Sequence, residues 1–397
     1  MIYFCIALLP FIQIGINWWI GFSLIIILLF MSSVDINSVN IKNRFFLYLA
    51  CAGMFIVTIV NSNFDNRASL RVSREILCVF LLLLSMQGTH LVKRKFNYRI
   101  FKALLMCITL ALFLLTIVQF FAIRQGRNIS LPENWYPRNL ILATQLDFTY
   151  SNIRPSATFT EPSYLGLVAF AMMCIGYYLV KNRKSGSSIL YLNFLTICIS
   201  QSKAGIFFGL LLLFYRIKDP LANLKKKTSY SLGRKVPVFI TLSLVLSLYF
   251  NFMGLSESNS IADRITRPAA IIFRYIYNFP FGVPYYERLN SNILEEYSES
   301  WIALSHNGFF NLIFDYGFLG FVLAAVLFSN SRKELPQLLF LIFLGIQNGG
   351  FLDFDKVALY FVFKASLNSI DRFRFQDFDA NPKPSNVQKL SFKRKSS

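Results

Sequence analysis

Signatures of energy coupling are missing from this sequence. It holds no Gly-x-x-x-x-Gly-Lys-Ser/Thr loop, no Gly-x-Gly-x-x-Gly fingerprint and no His-Glu-x-x-His pair. ATP hydrolysis on a P-loop, dinucleotide chemistry and zinc-protease chemistry are therefore excluded as motif-supported classes. Any reaction has to draw on an energy-rich substrate, and any transport on a gradient or on none. Histidine occurs twice, as His90 and His306. The six cysteines (Cys5, Cys51, Cys78, Cys107, Cys174 and Cys198) form no Cys-x-x-Cys pair, which removes thiol-redox and structural-zinc readings. Each falls inside an apolar block and reads as a small hydrophobe. No metal cluster and no cofactor site is expected. Acidic residues are scarce, 20 against 40 Lys and Arg, and charged residues make up only 15% of the chain.

Apolar residues fill the space left by the missing charge. They make up 55% of the 397 residues, and the mean hydropathy is +0.50. They come in blocks near the length that a helix needs to cross about 30 Å of hydrocarbon. In lipid every backbone polar group has to be satisfied inside its own element, so such blocks must be helices. The blocks fall near 2–15, 17–32, 45–60, 76–91, 103–122, 163–180, 188–200, 204–217, 236–253, 308–328, 336–350 and 357–370. The expectation is an all-α, polytopic membrane protein with about 11–12 transmembrane helices. Only Gln201-Ser202-Lys203 separates two of the blocks, which form either a helical hairpin or one broken helix. The first block lacks a basic leader and reads as a retained helix instead of a cleaved signal peptide.

A charge of +20 invites a nucleic-acid reading, but its distribution opposes one. The basic residues sit in short clusters between apolar blocks, as the positive-inside rule requires, with no RNA- or DNA-binding motif. With both termini cytoplasmic, 26 Lys and Arg fall on inward segments and 13 on outward ones. Acidic residues lean the other way, 6 to 13. Eleven of the outward cations are Arg, whose planar fork suits phosphate or carboxylate. The same Arg residues could instead pair with outward acids. The expected layout is N-terminal transmembrane helices (1–122), a first long extracytoplasmic loop (123–162), central helices (163–253), a second long loop (254–306), C-terminal helices (307–370) and a basic cytoplasmic tail (371–397). Both loops are rich in Asn, Ser, Pro, Tyr and Arg, and loops of this length are usually functional or disordered. Their interleaved aromatics, such as Asn134-Trp135-Tyr136-Pro137, argue against disorder. Such aromatics suit sugar stacking or the membrane interface.

Three stretches carry a resemblance. The first is Arg154-Pro155-Ser156-Ala157-Thr158-Phe159-Thr160-Glu161-Pro162-Ser163 before an apolar block. The second is Gln201-Ser202-Lys203-Ala204-Gly205. The third runs from Asn278-Phe279-Pro280-Phe281-Gly282-Val283-Pro284 through Ser305-His306-Asn307 to Asp315-Tyr316-Gly317-Phe318-Leu319-Gly320. In order and spacing they resemble the O-antigen polymerase (Wzy) and O-antigen ligase superfamily over about residues 120–350. Lys203 stands where Arg is usual in that family, Pro284 where Gly is usual, and Asp315 where Glu is common.

The resemblance implies an inverting glycosyltransferase of the ligase-related, glycosyltransferase C-type fold in the bacterial cytoplasmic membrane. Its substrates would be undecaprenyl-pyrophosphate-linked oligosaccharides, its product an O-antigen, capsule or exopolysaccharide chain. A chain-length regulator and a flippase are the expected partners, besides membrane lipid; no nucleic acid is expected. Substrate-binding candidates are Arg154 for the pyrophosphate, then Arg264, Arg267 and Arg274, with Lys203 and Asn307. For the base that takes the acceptor proton there are two candidates. His306 titrates near neutral pH. Glu161 stands at a membrane entry, where partial burial raises a carboxyl pKa, or where it simply stabilises a helix N-terminus. Asp315 needs a partner inside its span, such as a loop Arg or Lys364. A ligase, and a lipid-linked oligosaccharide flippase or transporter, are the alternatives.

Overall fold

The computed structural model describes residues 2–15, 21–31, 48–57, 73–81, 97–127, 129, 131, 135–136, 154–183, 186–222, 269, 272–273, 276–282, 307–330, 335–347 and 353–380. Among them the chain is helical and contains no β-strand; one isolated bridge pairs Gly15 with Gly21. The helices are α1 (Ile2–Ala7), α2 (Phe22–Met31), α3 (Tyr48–Val57), α4 (73–81), α5 (Tyr98–Arg124), α6 (Pro162–Arg183), α7 (Ser187–Ile199), α8 (Lys203–Ala222), α9 (Gly308–Asn330), α10 (Leu335–Gly345) and α11 (Phe354–Ala380). Three of these, α5, α6 and α9, contain stretches long and apolar enough to cross a membrane. At 1.5 Å per residue, the 22 residues of α6 span about 33 Å.

The sequence blocks and the helices agree best where the apolar run is long. The block at 103–122 lies within α5, and that at 163–180 within α6. The block at 2–15 differs. It is a six-residue α-helix followed by a 3-10 turn at Leu9–Phe11, because Pro10 offers no N–H to continue the ladder. The blocks at 188–200 and 204–217 are two separate helices, α7 and α8, that pack on each other. Gln201 between them has φ of 54°, which ends one helix and starts the next. The expected span at 236–253 lies outside the described residues.

Helix α6 is the hub. It packs against α5, α7, α8, α10 and α11, and 89% of its membrane-length stretch is buried, against 33% for α5. A helix apolar all round can only be stable in such a place. Phe170 on α6, Phe208 on α8 and Phe343 on α10 meet at ring-centroid distances of 5.0–5.9 Å. Phe30 on α2 stacks on Phe361 of α11 at 4.1 Å. Helix α5, by contrast, is two-faced. Phe101, Leu105, Ile108, Leu112, Thr116 and Gln119 recur at helical spacing and are buried. Leu110, Leu114, Val118 and Phe121 on the other side are 43–57% exposed. Exposed apolar stripes of this size are stable against lipid, not against water. Cys5, Cys78 and Cys174 are buried free thiols, consistent with their reading as small hydrophobes.

Polar contacts gather at the two ends of the bundle. At one end Tyr3 bonds Asn97, and Gln337 joins Tyr178 to Lys364. Lys364 is held by Gln337 Oε1 at 3.0 Å. The starts of α6, α8, α9 and α11 and the ends of α5, α7 and α10 share the opposite end.

Candidate functional site

The segment 154–163 lies at that opposite end, and two buried glutamines hold it. Gln119, on α5, accepts from the Ser156 and Ala157 N–H groups at 3.1 and 2.7 Å. Its Nε2 donates to the Ala157 carbonyl at 2.9 Å. Ala157 has φ of 54°, a conformation that costs an L-residue about 1–2 kcal/mol and persists where the surroundings dictate it. Gln13 accepts from both the N–H and the hydroxyl of Thr160 at 3.0 Å. The Thr158 hydroxyl bonds the Pro10 carbonyl, and the Tyr136 hydroxyl donates to the Thr158 carbonyl at 3.2 Å. Pro155 and Pro162 fix φ at both ends of the stretch. The segment is therefore an ordered strap, tied to helices through side chains, not a freely moving loop.

The strap delivers Arg154 to the α7–α8 turn. Arg154 Nη1 donates to the Gln201 carbonyl at 3.3 Å. Buried Ser202 accepts the Gly205 N–H through its hydroxyl at 3.3 Å and so starts α8. The next residue, Lys203, is exposed. The first two sequence stretches, 47 residues apart at this contact, thus meet and place one Arg and one Lys beside the same turn. Two cations next to a helix N-terminus suit an anion.

Glu161 faces inward. It is only 6% exposed, and its Oε1 accepts from Gln347 Nε2 at 2.8 Å. The same nitrogen bonds the Ser163 hydroxyl. Lys356, buried at 2% exposure, donates to the Gln347 carbonyl at 3.2 Å. Its neighbour Asp355 accepts from Gln13 at 3.1 Å and from the Lys356 N–H at 2.9 Å. Asp355 precedes the apolar stretch 357–370. Burial, and then the Asp353 carboxylate, push its carboxyl up from the ordinary value; Lys356 and the Gln13 bond oppose them. Arg74 on α4 reaches Asp353 at 3.4 Å, and Tyr316 on α9 donates to Glu75 at 2.5 Å. Charges removed from water are tolerable only when paired in this way. Among the described residues, no group of three or more His, Cys, Asp and Glu side chains is placed to hold a metal ion.

The third sequence stretch also closes on itself. Helix α9 breaks at Gly317, with φ of 57° and ψ of −132°. Pro280 fits into the break: the Phe318 N–H donates to its carbonyl at 2.9 Å. A Cβ on Gly317 would lie 2.0 Å from the Pro280 oxygen, and one on Gly282 would lie 2.2 Å from the Asp315 oxygen. Both glycines are required by close backbone approach, and Gly282 also by its φ of 96°. Pro280 and Gly282 therefore reach about two helical turns into α9. Asn307 caps that helix: its side-chain oxygen accepts from the Phe309 and Phe310 N–H groups at 3.0 and 3.2 Å. His306, Arg264, Arg267 and Arg274 lie outside the described residues.

Of the sequence candidates, Arg154 and Lys203 converge on one turn, Glu161 is locked into a buried network, and Asn307 is a helix cap. Gln13, Gln119 and Gln347, which organise the strap, were not singled out in the sequence. Their signal was there: an amide inside an apolar helical block is costly unless it finds partners. Asp353, Asp355 and Lys356 lie in the short gap between the apolar blocks at 336–350 and 357–370. The chain matches no known family, no curated protein and no solved structure.

Proposed function

We propose that this chain is a polysaccharide polymerase that joins undecaprenyl-pyrophosphate-linked repeat units at the outer face of a bacterial cytoplasmic membrane. One observation carries the reading most directly: Arg154 is fastened to the turn that presents Lys203. In the proposed reaction a hydroxyl of the acceptor sugar attacks the anomeric carbon of the donor. The bond from that carbon to the pyrophosphate oxygen breaks with inversion, and its electron pair leaves on the pyrophosphate. Arg154 and Lys203 neutralise that developing charge, the kind of fixed electrostatic stabilisation that supplies a large part of many rate enhancements. The acceptor proton goes to a base. Burial of Glu161 against Gln347 favours His306 for that role.

The test is polymerisation of a purified lipid-linked repeat unit in reconstituted vesicles. Arg154→Ala is expected to lower turnover by about 100-fold, the scale of removing one well-placed donor to a developing anion. Arg154→Lys recovers part of the rate if charge dominates, and none if the bidentate fork is needed. Unchanged turnover in Arg154→Ala defeats the assignment. A ligase would perform the same bond change with a lipid A core acceptor, so supplying both acceptors separates the two activities.

A transporter of lipid-linked oligosaccharide is the second reading, and the break at Gly317 favours it. Interrupted helices at membrane depth are a recurring feature of secondary transporters. The interruption here is filled by Pro280 of the same chain, which weakens that reading. Transbilayer movement of the lipid without chain growth would establish it.

A further inference from the structure

We propose that Gln119 is a positioning residue for Arg154, an inference that rests on the polymerase reading for its effect on turnover. A primary amide has two N–H donors and two acceptor lone pairs. In Gln119, 3% exposed, all four are used on backbone: two N–H groups of the strap, the Ala157 carbonyl, and the Ile129 carbonyl at 3.4 Å. An apolar residue would suit this buried face of α5 equally well by hydrophobicity. The amide instead reads the backbone of residues 156–157 and holds Ala157 at its positive φ.

The hold reaches Arg154 through a stiff link. Only Pro155 separates Arg154 from Ser156, and its ring fixes φ. Proline also restricts the residue before it, which is Arg154 itself. With residues 156–157 fixed on α5, the Arg154 side chain has a narrow range of origins, and from there Nη1 reaches the Gln201 carbonyl. Gln119 thus ties α5 to the α7–α8 turn through the guanidinium. It acts on the charge at the leaving pyrophosphate without touching substrate.

Two measurements on the full-length protein in lipid nanodiscs test this. The first is phenylglyoxal modification of Arg154, followed by mass spectrometry, with exposed Arg124 as the internal reference. In Gln119→Ala, Arg154 is expected to react about fivefold faster, the change that accompanies loss of one hydrogen bond, with Arg124 unchanged. Gln119→Leu, which keeps the bulk but removes every hydrogen bond to the strap, is expected to show the same increase, and it serves if the alanine variant fails to fold. The second measurement is turnover of Gln119→Ala, Arg154→Ala and the double variant. If Gln119 works through Arg154, the double variant is no slower than Arg154→Ala alone. Unchanged Arg154 reactivity in both variants, or losses that multiply in the double variant, overturn the proposal. If wild type makes no polymer while Gln119→Ala still exposes Arg154, the polymerase reading falls and the positioning role stands.

Discussion

Adding one methyl group at Gly317 should be far more damaging than adding one at Gly126, although both glycines have positive φ, 57° and 72°. At Gly126 a Cβ meets nothing within 4 Å, so only the backbone penalty of about 1–2 kcal/mol applies. At Gly317 three effects combine. The backbone conformation is one that glycine alone adopts readily, at about 1–3 kcal/mol for another residue. The Cβ overlaps the Pro280 carbonyl, and displacing residues 280–282 adds about 1–3 kcal/mol of overpacking. The Phe318 to Pro280 hydrogen bond is lost, about 1 kcal/mol more. The total of roughly 3–7 kcal/mol is a large part of the 5–15 kcal/mol that holds a typical fold. Both variants can be unfolded by SDS titration in mixed micelles, followed by tryptophan fluorescence. Gly317→Ala should unfold at a much lower SDS fraction than Gly126→Ala. Equal midpoints for the two would refute the insertion of Pro280 into the break of α9.

Three further outcomes follow from the polar end. Asn307→Ala should lose about 1 kcal/mol of stability as a lost cap, while Asn307→Asp, which keeps the accepting oxygen, should hold both stability and turnover; loss of turnover with retained stability in the aspartate variant would mark a substrate contact instead. Gln347→Ala should destabilise by about 1–3 kcal/mol because Glu161 loses a buried donor, and Gln347→Glu should be no better, because it removes the same amide donor; a glutamate variant as stable as wild type would contradict the Gln347–Glu161 bond. The third concerns pH. Asp355 has a folded pKa above its unfolded value, so its contribution is fully present below the unfolded pKa and fades as pH rises through the folded pKa. Asp355→Asn should therefore flatten the fall in midpoint above about pH 4; an identical pH profile in wild type and variant would contradict the burial of that carboxyl.

The fold was legible where one physical signal dominated. The apolar runs of α5 and α6 are long enough that hydrophobicity alone placed them. The first block failed as a continuous helix because Pro10 interrupts its ladder, a local signal that a count of apolar residues overrides. Whether α7 and α8 were one helix or two hinged on the backbone at Gln201, which composition does not encode. Arg154 and Lys203 stood out as outward cations, but nothing in their spacing told that they share a turn. That proximity comes from the packing of α7 and α8 on α6 and from the side-chain clamps of Gln119 on α5 and of Gln13 beyond the 3-10 turn. Glu161 shows the same limit from the other side. Its position before Pro162 pointed to a membrane entry, whereas its inward direction is set by Gln347, 186 residues away. Gly282 and Gly317 were visible as glycines in a pattern; their purpose, letting two backbones touch, needed the fold.

The most direct test of polymerase function uses sealed vesicles with purified protein and a fluorescent lipid-linked repeat unit in the outer leaflet only. Chain growth is read as a ladder on a gel, and lipid movement as protection from an added quencher. A polymerase with its site at the Arg154–Lys203 turn gives a ladder from wild type, none from Arg154→Ala, and no protein-dependent protection in either. Protection without a ladder, equal in wild type and Arg154→Ala, would contradict it and make the chain a carrier.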